Sequence, residues 1–366
     1  MIDRLGKQWM NSILIASIVV GFYFIIDLKI LSGHDWNARA FVMERPEGVS
    51  LDRGWGIGYD GQFSYALATN PLGSIEDLDQ PAYRYQRILH PLLVRIVSLG
   101  KIEFVPWVIL GLNLFFTVVC CVALGLLLSM RGASPWWSLV FVFSLGYLLT
   151  MRMDLLEPMA IGFALSGWLF YEKKKLIPAI LLFAMSGLTK EVGLVFPFAL
   201  AIWELTRRNL VRGVGLILGS FAPYIIWYLI LLNWLGTTQI QIAQSTPMLI
   251  PFYGLQYLED PINKFIVVLW VVLPAILGGM WVIVDVWRNG FGEWGQDAIM
   301  VIANVVFIAA LPLLSWGDPL AILRLGLGLL AAILVWLASH NHRFLIYAAA
   351  LWGPSGLLLL LVPGMM

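Results

Sequence analysis

Charge is scarce in this chain of 366 residues: only 12% of positions are Asp, Glu, Lys or Arg, about half the share usual in soluble domains. With 60% hydrophobic residues and a mean hydropathy of +0.85, that scarcity excludes an ordinary soluble fold. A basic surplus is missing too. Twenty-three basic side chains face 22 acidic ones for a net +1, so there is no general basic surface for nucleic acid, and nucleic-acid binding is set aside. Cysteine is nearly absent, and Cys120 and Cys121 are adjacent within an apolar run. That placement fits neither a metal-ligand spacing nor a disulfide framework. The sequence also has no internal repeat, no low-complexity run and no stretch that reads as a second soluble domain.

Long apolar runs are what the chain has instead. The first, Met10 to Ile26, is followed by Asp27, Leu28 and Lys29 rather than by the small residues of a signal-cleavage site, and reads as a retained anchor. Ten more candidate spans lie near 104–130, 135–150, 155–171, 176–189, 192–206, 213–235, 263–287, 296–315, 319–339 and 344–362, judged against the roughly 20 residues that a bilayer crossing needs. The four between 135 and 206 are shorter than that norm. The fold expected is therefore all-α: one polytopic integral membrane domain over 1–366, with about eleven transmembrane helices.

Charge bias supports the count. With the N-terminus in the cytoplasm, the inner connections hold Arg4, Lys7, Arg131, Lys173, Lys174, Lys175, Arg207, Arg208, Arg212, Arg288 and Arg343. The short outer ones hold only Arg152, Lys190, Lys264 and Arg324, beside Asp154, Glu157, Glu191, Glu259, Asp260 and Asp318. Cytoplasmic loops collect basic residues in this way. Asp318 is placed to cap, and Pro319 to start, the helix that carries Arg324. Arg324 then sits about 8 Å inside that helix and must snorkel outward or enter a polar cavity. A second outer segment, 236–262, is polar and turn-rich and reads as a candidate lid.

Residues 29–103 hold 17 of the 45 charged side chains. This long hydrophilic segment falls outside the membrane and is expected to contain short helices. Within it, Gly58-Tyr59-Asp60-Gly61-Gln62-Phe63-Ser64-Tyr65 presents a carboxylate between two glycines, ahead of a helical pattern ending at Thr69. Further on comes Pro81-Ala82-Tyr83-Arg84-Tyr85-Gln86-Arg87-Ile88-Leu89-His90-Pro91. If this part is helical, Arg84 and Arg87 share a face, and Pro91 should interrupt the helix and leave Arg87 and His90 at a kink. A carboxylate, aromatic faces and paired guanidinium groups suit sugar transfer. The carboxylate deprotonates or orients an acceptor hydroxyl, and the cations stabilise a phosphate leaving group.

The runs GYDGQFSYALATNP and YRYQRILHPLL, which span about residues 58–92, resemble bacterial membrane proteins with a GYDGQFYY…DP…YR..RIL pattern. Those are described as candidate glycosyltransferases of cell-surface glycopolymers and are similar to the GT-C superfamily. The resemblance implies many membrane helices, a catalytic acid in the first outer loop, a polyprenyl-phosphate sugar as donor, a glycan or lipid acceptor and a bacterial inner membrane. Carried onto this sequence, it makes Asp60 the candidate catalytic acid, with Tyr59, Gln62, Tyr83, Arg84 and Arg87 as substrate-binding candidates. Asp35 in His34-Asp35-Trp36 is the competing acid. Ser64 stands where the pattern has a second Tyr, and Thr69-Asn70 where it has Asp, so neither position is carried over as catalytic. Lys190-Glu191 resembles a turn found in several GT-C proteins.

Arg152 and Asp154 in the Met151–Pro158 connection, Lys190, Glu191 and Arg324 complete the candidate substrate-binding set. Plainer readings stand beside these. Asp60 can serve as a helix cap, Arg84 and Arg87 can meet lipid headgroups, and Lys190–Glu191 and Arg152–Asp154 can be simple interfacial ion pairs. Carboxylates near phosphate can attract Mg²⁺ or Mn²⁺, but no ligand spacing demands a metal. Two other function classes stay open, a transporter or flippase of lipid-linked sugars and a non-catalytic subunit of an envelope-assembly machine.

Overall fold

A computed structural model describes residues 2–44, 59–236, 246–292, 295–340 and 342–358, and among them every regular element is helical. Helix α1 (Ile2–Ser32) extends the first apolar stretch at both ends. Asp27 and Lys29 do not stop it, because a charged side chain costs a helix little and no breaker occurs before Gly33. The long hydrophilic segment follows. It contains α2 (Gly61–Thr69), α3 (Pro81–Tyr85) and α4 (Leu89–Val97) before the long apolar α5 (Val105–Met130).

The stretch 135–150, expected as one span, is two short helices, α6 (Ser138–Val142) and α7 (Leu145–Arg152), parted where Ser144 is extended. Then come α8 (Glu157–Glu172), α9 (Leu176–Thr189), α10 (Val195–Thr206) and α11 (Leu210–Leu235). A continuous rod combines α12 (Pro261–Val267), one π-helical turn at Val268–Val272, and α13 (Leu273–Asn289). The chain continues with α14 (Gly295–Ala309), α15 (Leu313–Trp316), α16 (Pro319–Leu325), α17 (Leu327–His340) and α18 (Leu345–Trp352).

Among the described residues, five helical stretches are long and apolar enough to cross a membrane: Met10–Ser32, Ile102–Met130, Leu210–Leu235, Pro261–Asn289 and Pro319–His340. The helices α8, α9 and α10 have 16, 14 and 12 residues. At 1.5 Å per residue they extend about 24, 21 and 18 Å, less than the roughly 30 Å hydrocarbon core. The lid candidate is described only in part, since 237–245 lie outside the described residues. Its later portion is pinned to the end of α14, with Met248 and Phe252 donating backbone N–H bonds to the carbonyls of Ala310 and Ala309.

Apolar all round, α8 and α17 occupy the centre. Every residue from Leu327 to Ala338 is buried, as expected of a helix without a polar face. Gly162 lets α8 approach α5 closely, because a Cβ there would stand 2.9 Å from the Phe116 ring. Cys120 and Cys121 are buried free thiols in the same core, in contact with the Pro158 carbonyl and the Ser138 hydroxyl. At the periphery, α1, α11 and α13 present Ile25, Ile226, Leu229 and Ile283 outward. A lipid surround accommodates such faces and water does not.

Each end of α8 carries a buried ionic cluster. At the Glu172 end, Arg131 donates Nε and Nη2 bonds of 2.9 and 2.6 Å to Asp297 and an Nη2 bond of 2.5 Å to Glu172. The turns bearing Lys173, Lys174, Lys175, Arg207, Arg208 and Arg288 gather at this end. Removing the shared cation would strand two buried carboxylates, which typically costs about 3–5 kcal/mol. Arg131→Ala should therefore lower the unfolding midpoint of the detergent-solubilised protein strongly. Arg288→Ala, at an exposed position, should leave it within about 0.5 kcal/mol of wild type.

Candidate active site

The opposite end of α8 begins with Glu157, and there five chain segments converge. The start of α2 is brought in by Gly61, where a Cβ would stand 2.3 Å from the Met153 carbonyl oxygen. Only glycine allows that approach of backbone to backbone. Asp60 occupies the N-cap position in a right-handed helical conformation, but its side chain makes no capping bond. Its carboxylate instead accepts a 2.9 Å bond from Arg84 Nη1 and lies 3.6 Å from Arg324 Nη2. The cap reading of Asp60 is thereby set aside. Asp35, the competing acid, lies on an exposed turn after α1 with φ +52°.

Arg84 leaves α3 stacked on the Phe63 ring at 3.9 Å and grips Asp79 through Nε and Nη2, both at 2.7 Å. Arg87 lies over the Tyr83 ring at 4.1 Å, donates to the Tyr83 hydroxyl and holds Glu191 through bonds of 3.1 and 2.7 Å. The expected kink at Pro91 is corrected. The chain breaks earlier, between Tyr85 and Leu89, and Pro91 belongs to the first turn of α4, where its missing N–H costs no helical bond. Because of that early break, Arg84 and Arg87 reach different carboxylates.

Arg324 enters from α16, whose start is as expected: Asp318 Oδ1 accepts from the Leu320 N–H at 2.8 Å, ahead of Pro319. The guanidinium is buried. It donates to Glu157 at 2.9 Å and to the Tyr59 hydroxyl at 2.7 Å, and Tyr59 in turn donates to Asp318 at 2.5 Å. Lys190 Nζ reaches the same Glu157 oxygen at 2.5 Å. The simple pairing of Lys190 with Glu191 is thus overturned, since each faces a different, distant partner. Four cations (Arg84, Arg87, Lys190 and Arg324) alternate with five carboxylates (Asp60, Asp79, Glu157, Glu191 and Asp318).

Arg152 and Asp154 belong to a different neighbourhood. Arg152 donates to the Ala40 carbonyl and lies near the Phe41 ring, whereas Asp154 accepts from Asn113 at 3.5 Å. Gln62 is in the first turn of α2, half-buried. Sequence reasoning left Glu157, Asp79 and Asp318 out of the candidate site. The signal for Glu157 was an acid directly before Pro158 at a helix start, but helix-start acids are common enough that it passes for a dipole effect.

A small cleft borders this network, its walls including Asp60, Phe63, Ser64, Arg84, Arg87 and Leu156. Burial would raise the Asp60 carboxyl, but Arg84, then Arg324, Arg87 and Lys190 outweigh it and hold the group below the usual carboxylate range. Glu191 is held low in the same way, with Arg87 overcoming burial. Beside Asp60, Ser64 Oγ and His90 Nδ1 are 2.7 Å apart, both residues buried. Burial, opposed by the charge of Glu157, pushes the imidazole down to about 4. Among the described residues, no three His, Cys, Asp or Glu side chains converge to hold a metal ion. The carboxylates face guanidinium and ammonium groups, so the site does not fit a divalent cation.

Such an arrangement keeps one carboxylate ionised at a cleft, able to accept a bond from a hydroxyl, with two guanidinium groups in reach of an anion. Compared with known proteins, no family model matches the chain, and no curated protein or solved structure does either.

The buried imidazole makes stability depend on pH. His90 is neutral in the fold down to about pH 4, whereas in the unfolded chain it takes up a proton near pH 6.5. Stability should therefore fall as pH drops from 6.5 to 4, by up to about 1.4 kcal/mol per pH unit, and level off below that as far as this group is concerned. The slope over this window should be smaller in His90→Gln when unfolding is followed by tryptophan fluorescence.

Proposed function

We propose that this protein is a membrane glycosyltransferase of GT-C type, which moves a sugar from a polyprenyl-phosphate donor to a cell-envelope glycan or lipid acceptor at the outer face of a bacterial inner membrane. The observation that carries the reading is the ionised Asp60, held at a cleft between Arg84 and Arg324, at the bundle end opposite the basic turns. In this reading the chain crosses the membrane eleven times, with its N-terminus in the cytoplasm. The basic turns then face the cytoplasm and the Asp60 cleft faces outward, where a lipid-linked donor approaches laterally.

The strength of each ion pair assigns the roles. Asp79 and Glu191, the partners of Arg84 and Arg87, keep 30% and 29% of their side chains exposed, whereas Glu157, the partner of Lys190 and Arg324, keeps 1%. A donor phosphate can replace a half-exposed carboxylate at modest cost, but opening the Glu157 pairs would leave buried charge unpaired. Arg84 and Arg87 are therefore the phosphate contacts, and Lys190 and Arg324 hold the frame. Asp60, kept ionised by its cations, is a poor proton acceptor. It acts as the orienting carboxylate that aligns the acceptor hydroxyl with the anomeric carbon. The gathering of ionised groups at the two ends of the bundle rather than along its middle gives less support to transport, whose charged sites lie near the bilayer midplane.

Asp60→Asn in lipid nanodiscs should lose sugar transfer by about 10²-fold or more, assayed with a panel of farnesyl-phosphate hexoses and an envelope-glycan extract as acceptor. Donor binding and thermal stability should persist. Wild-type turnover in the mutant would remove Asp60 from the reaction. Passage of labelled donor across liposomes without chemical change would instead support the transporter.

A further inference from the structure

We propose that Ser64 and His90 form the proton relay of the transfer, with Ser64 receiving the acceptor's hydroxyl proton in the cleft and His90 holding a proton behind it. The proposal rests on the transferase reading and gives the acceptor's proton a path that does not run through Asp60.

The geometry starts from helix spacing. Asp60 and Ser64 are four residues apart at the start of α2, so they stand on one face, and both line the cleft with Arg84 and Arg87. Ser64 Oγ is 2.7 Å from His90 Nδ1, a distance for direct proton transfer. On the other side of the ring, His90 Nε2 is buried without a hydrogen-bond partner; Glu157 Oε2, the second oxygen of the carboxylate that Lys190 and Arg324 hold by Oε1, is likewise unpartnered. Glu157 lies close enough for its charge to favour the imidazolium.

A neutral imidazole with its proton on Nε2 leaves Nδ1 free to accept from Ser64. The hydroxyl meets the imidazole directly, and the carboxylate acts on it through space by its charge. A serine–imidazole–carboxylate set is recognised by geometry and roles rather than by sequence position.

In the reaction, the acceptor oxygen forms a bond to the anomeric carbon while the bond from that carbon to the phosphate oxygen breaks, its electron pair leaving on the polyprenyl phosphate. The acceptor's proton moves to Ser64 Oγ as Ser64's own proton moves to His90 Nδ1. The imidazolium returns its proton through Ser64 to water after the products part. Ser64 touches the substrate; His90 and Glu157 act through it as positioning residues.

The test uses the full chain in nanodiscs with the same farnesyl-phosphate hexoses and glycan extract. Ser64→Ala and His90→Gln should each lower kcat by about 10²–10⁴-fold with the donor KM unchanged, and Ser64→Thr, which keeps the hydroxyl, should restore most of it. Nitrogen NMR of histidine-labelled protein should show the His90 proton on Nε2 in the wild type, a readout independent of turnover. Transfer by the wild type together with near-normal kcat in Ser64→Ala, or a proton found on Nδ1, would overturn the relay while leaving the transferase reading intact. No transfer by the wild type with any donor would overturn both.

Discussion

Glu157 is shared by two cations, and the rest of the site depends on that sharing. Its Oε1 accepts from Lys190 at the end of α9 and from Arg324 within α16, so one carboxylate at the head of α8 ties the consecutive helices α8 and α9 to the distant α16. Nothing in the surrounding apolar core specifies their relative rotation so sharply. Packing of Leu, Val and Ala tolerates small slides, whereas a buried charge pair tolerates few because a lost partner is costly. Once Arg324 is placed, its second nitrogen fixes Tyr59 and approaches Asp60, and the glycine after Asp60 seats α2 on the α7–α8 connection.

The molecule thus has two charged ends and an apolar middle about 24 Å long by the length of α8. Arg131, Glu172 and Asp297 close one end, and the Asp60 network closes the other. The ends differ in kind. The first is a compact structural knot next to lysine- and arginine-bearing turns. The second is an alternating network with half-exposed members and a cleft. Lipid-facing rows on α1, α11 and α13 account for the hydropathy, while α8 and α17, equally apolar, are apolar because they are interior.

Local features could be read from the sequence because their causes are local. The helix over Gly61–Thr69 and the cap at Asp318 with Pro319 behind it both depend on neighbours a few residues apart. The partners in the site do not. Arg324 meets Asp60 264 positions away, and Lys190 bypasses its neighbour Glu191 because its extended backbone, φ −160° and ψ 133°, ends α9 and turns the two side chains apart. Pro91 misled for a physical reason: a proline breaks a helix that precedes it but is tolerated in the first turn of one that follows. Glu157 and His90 were legible as residues but not as partners, since burial decides their chemistry and burial is a property of the assembled fold.

An active carboxylate cannot be both strongly held and a good proton acceptor. Each cation that fixes Asp60 lowers its affinity for a proton, so precision in orientation is gained at the expense of basicity. In the proposed transfer the conflict is resolved by separating the tasks over one turn of α2. Asp60 stays charged and directional beside the guanidinium groups, and in the proposed relay the proton goes instead to Ser64, one turn further along α2, and to the imidazole behind it, which burial keeps neutral against the charge of Glu157. In the proposed transfer, Asp60 and the serine that stands where the pattern has a tyrosine share the work, the carboxylate orienting the acceptor and the serine taking its proton.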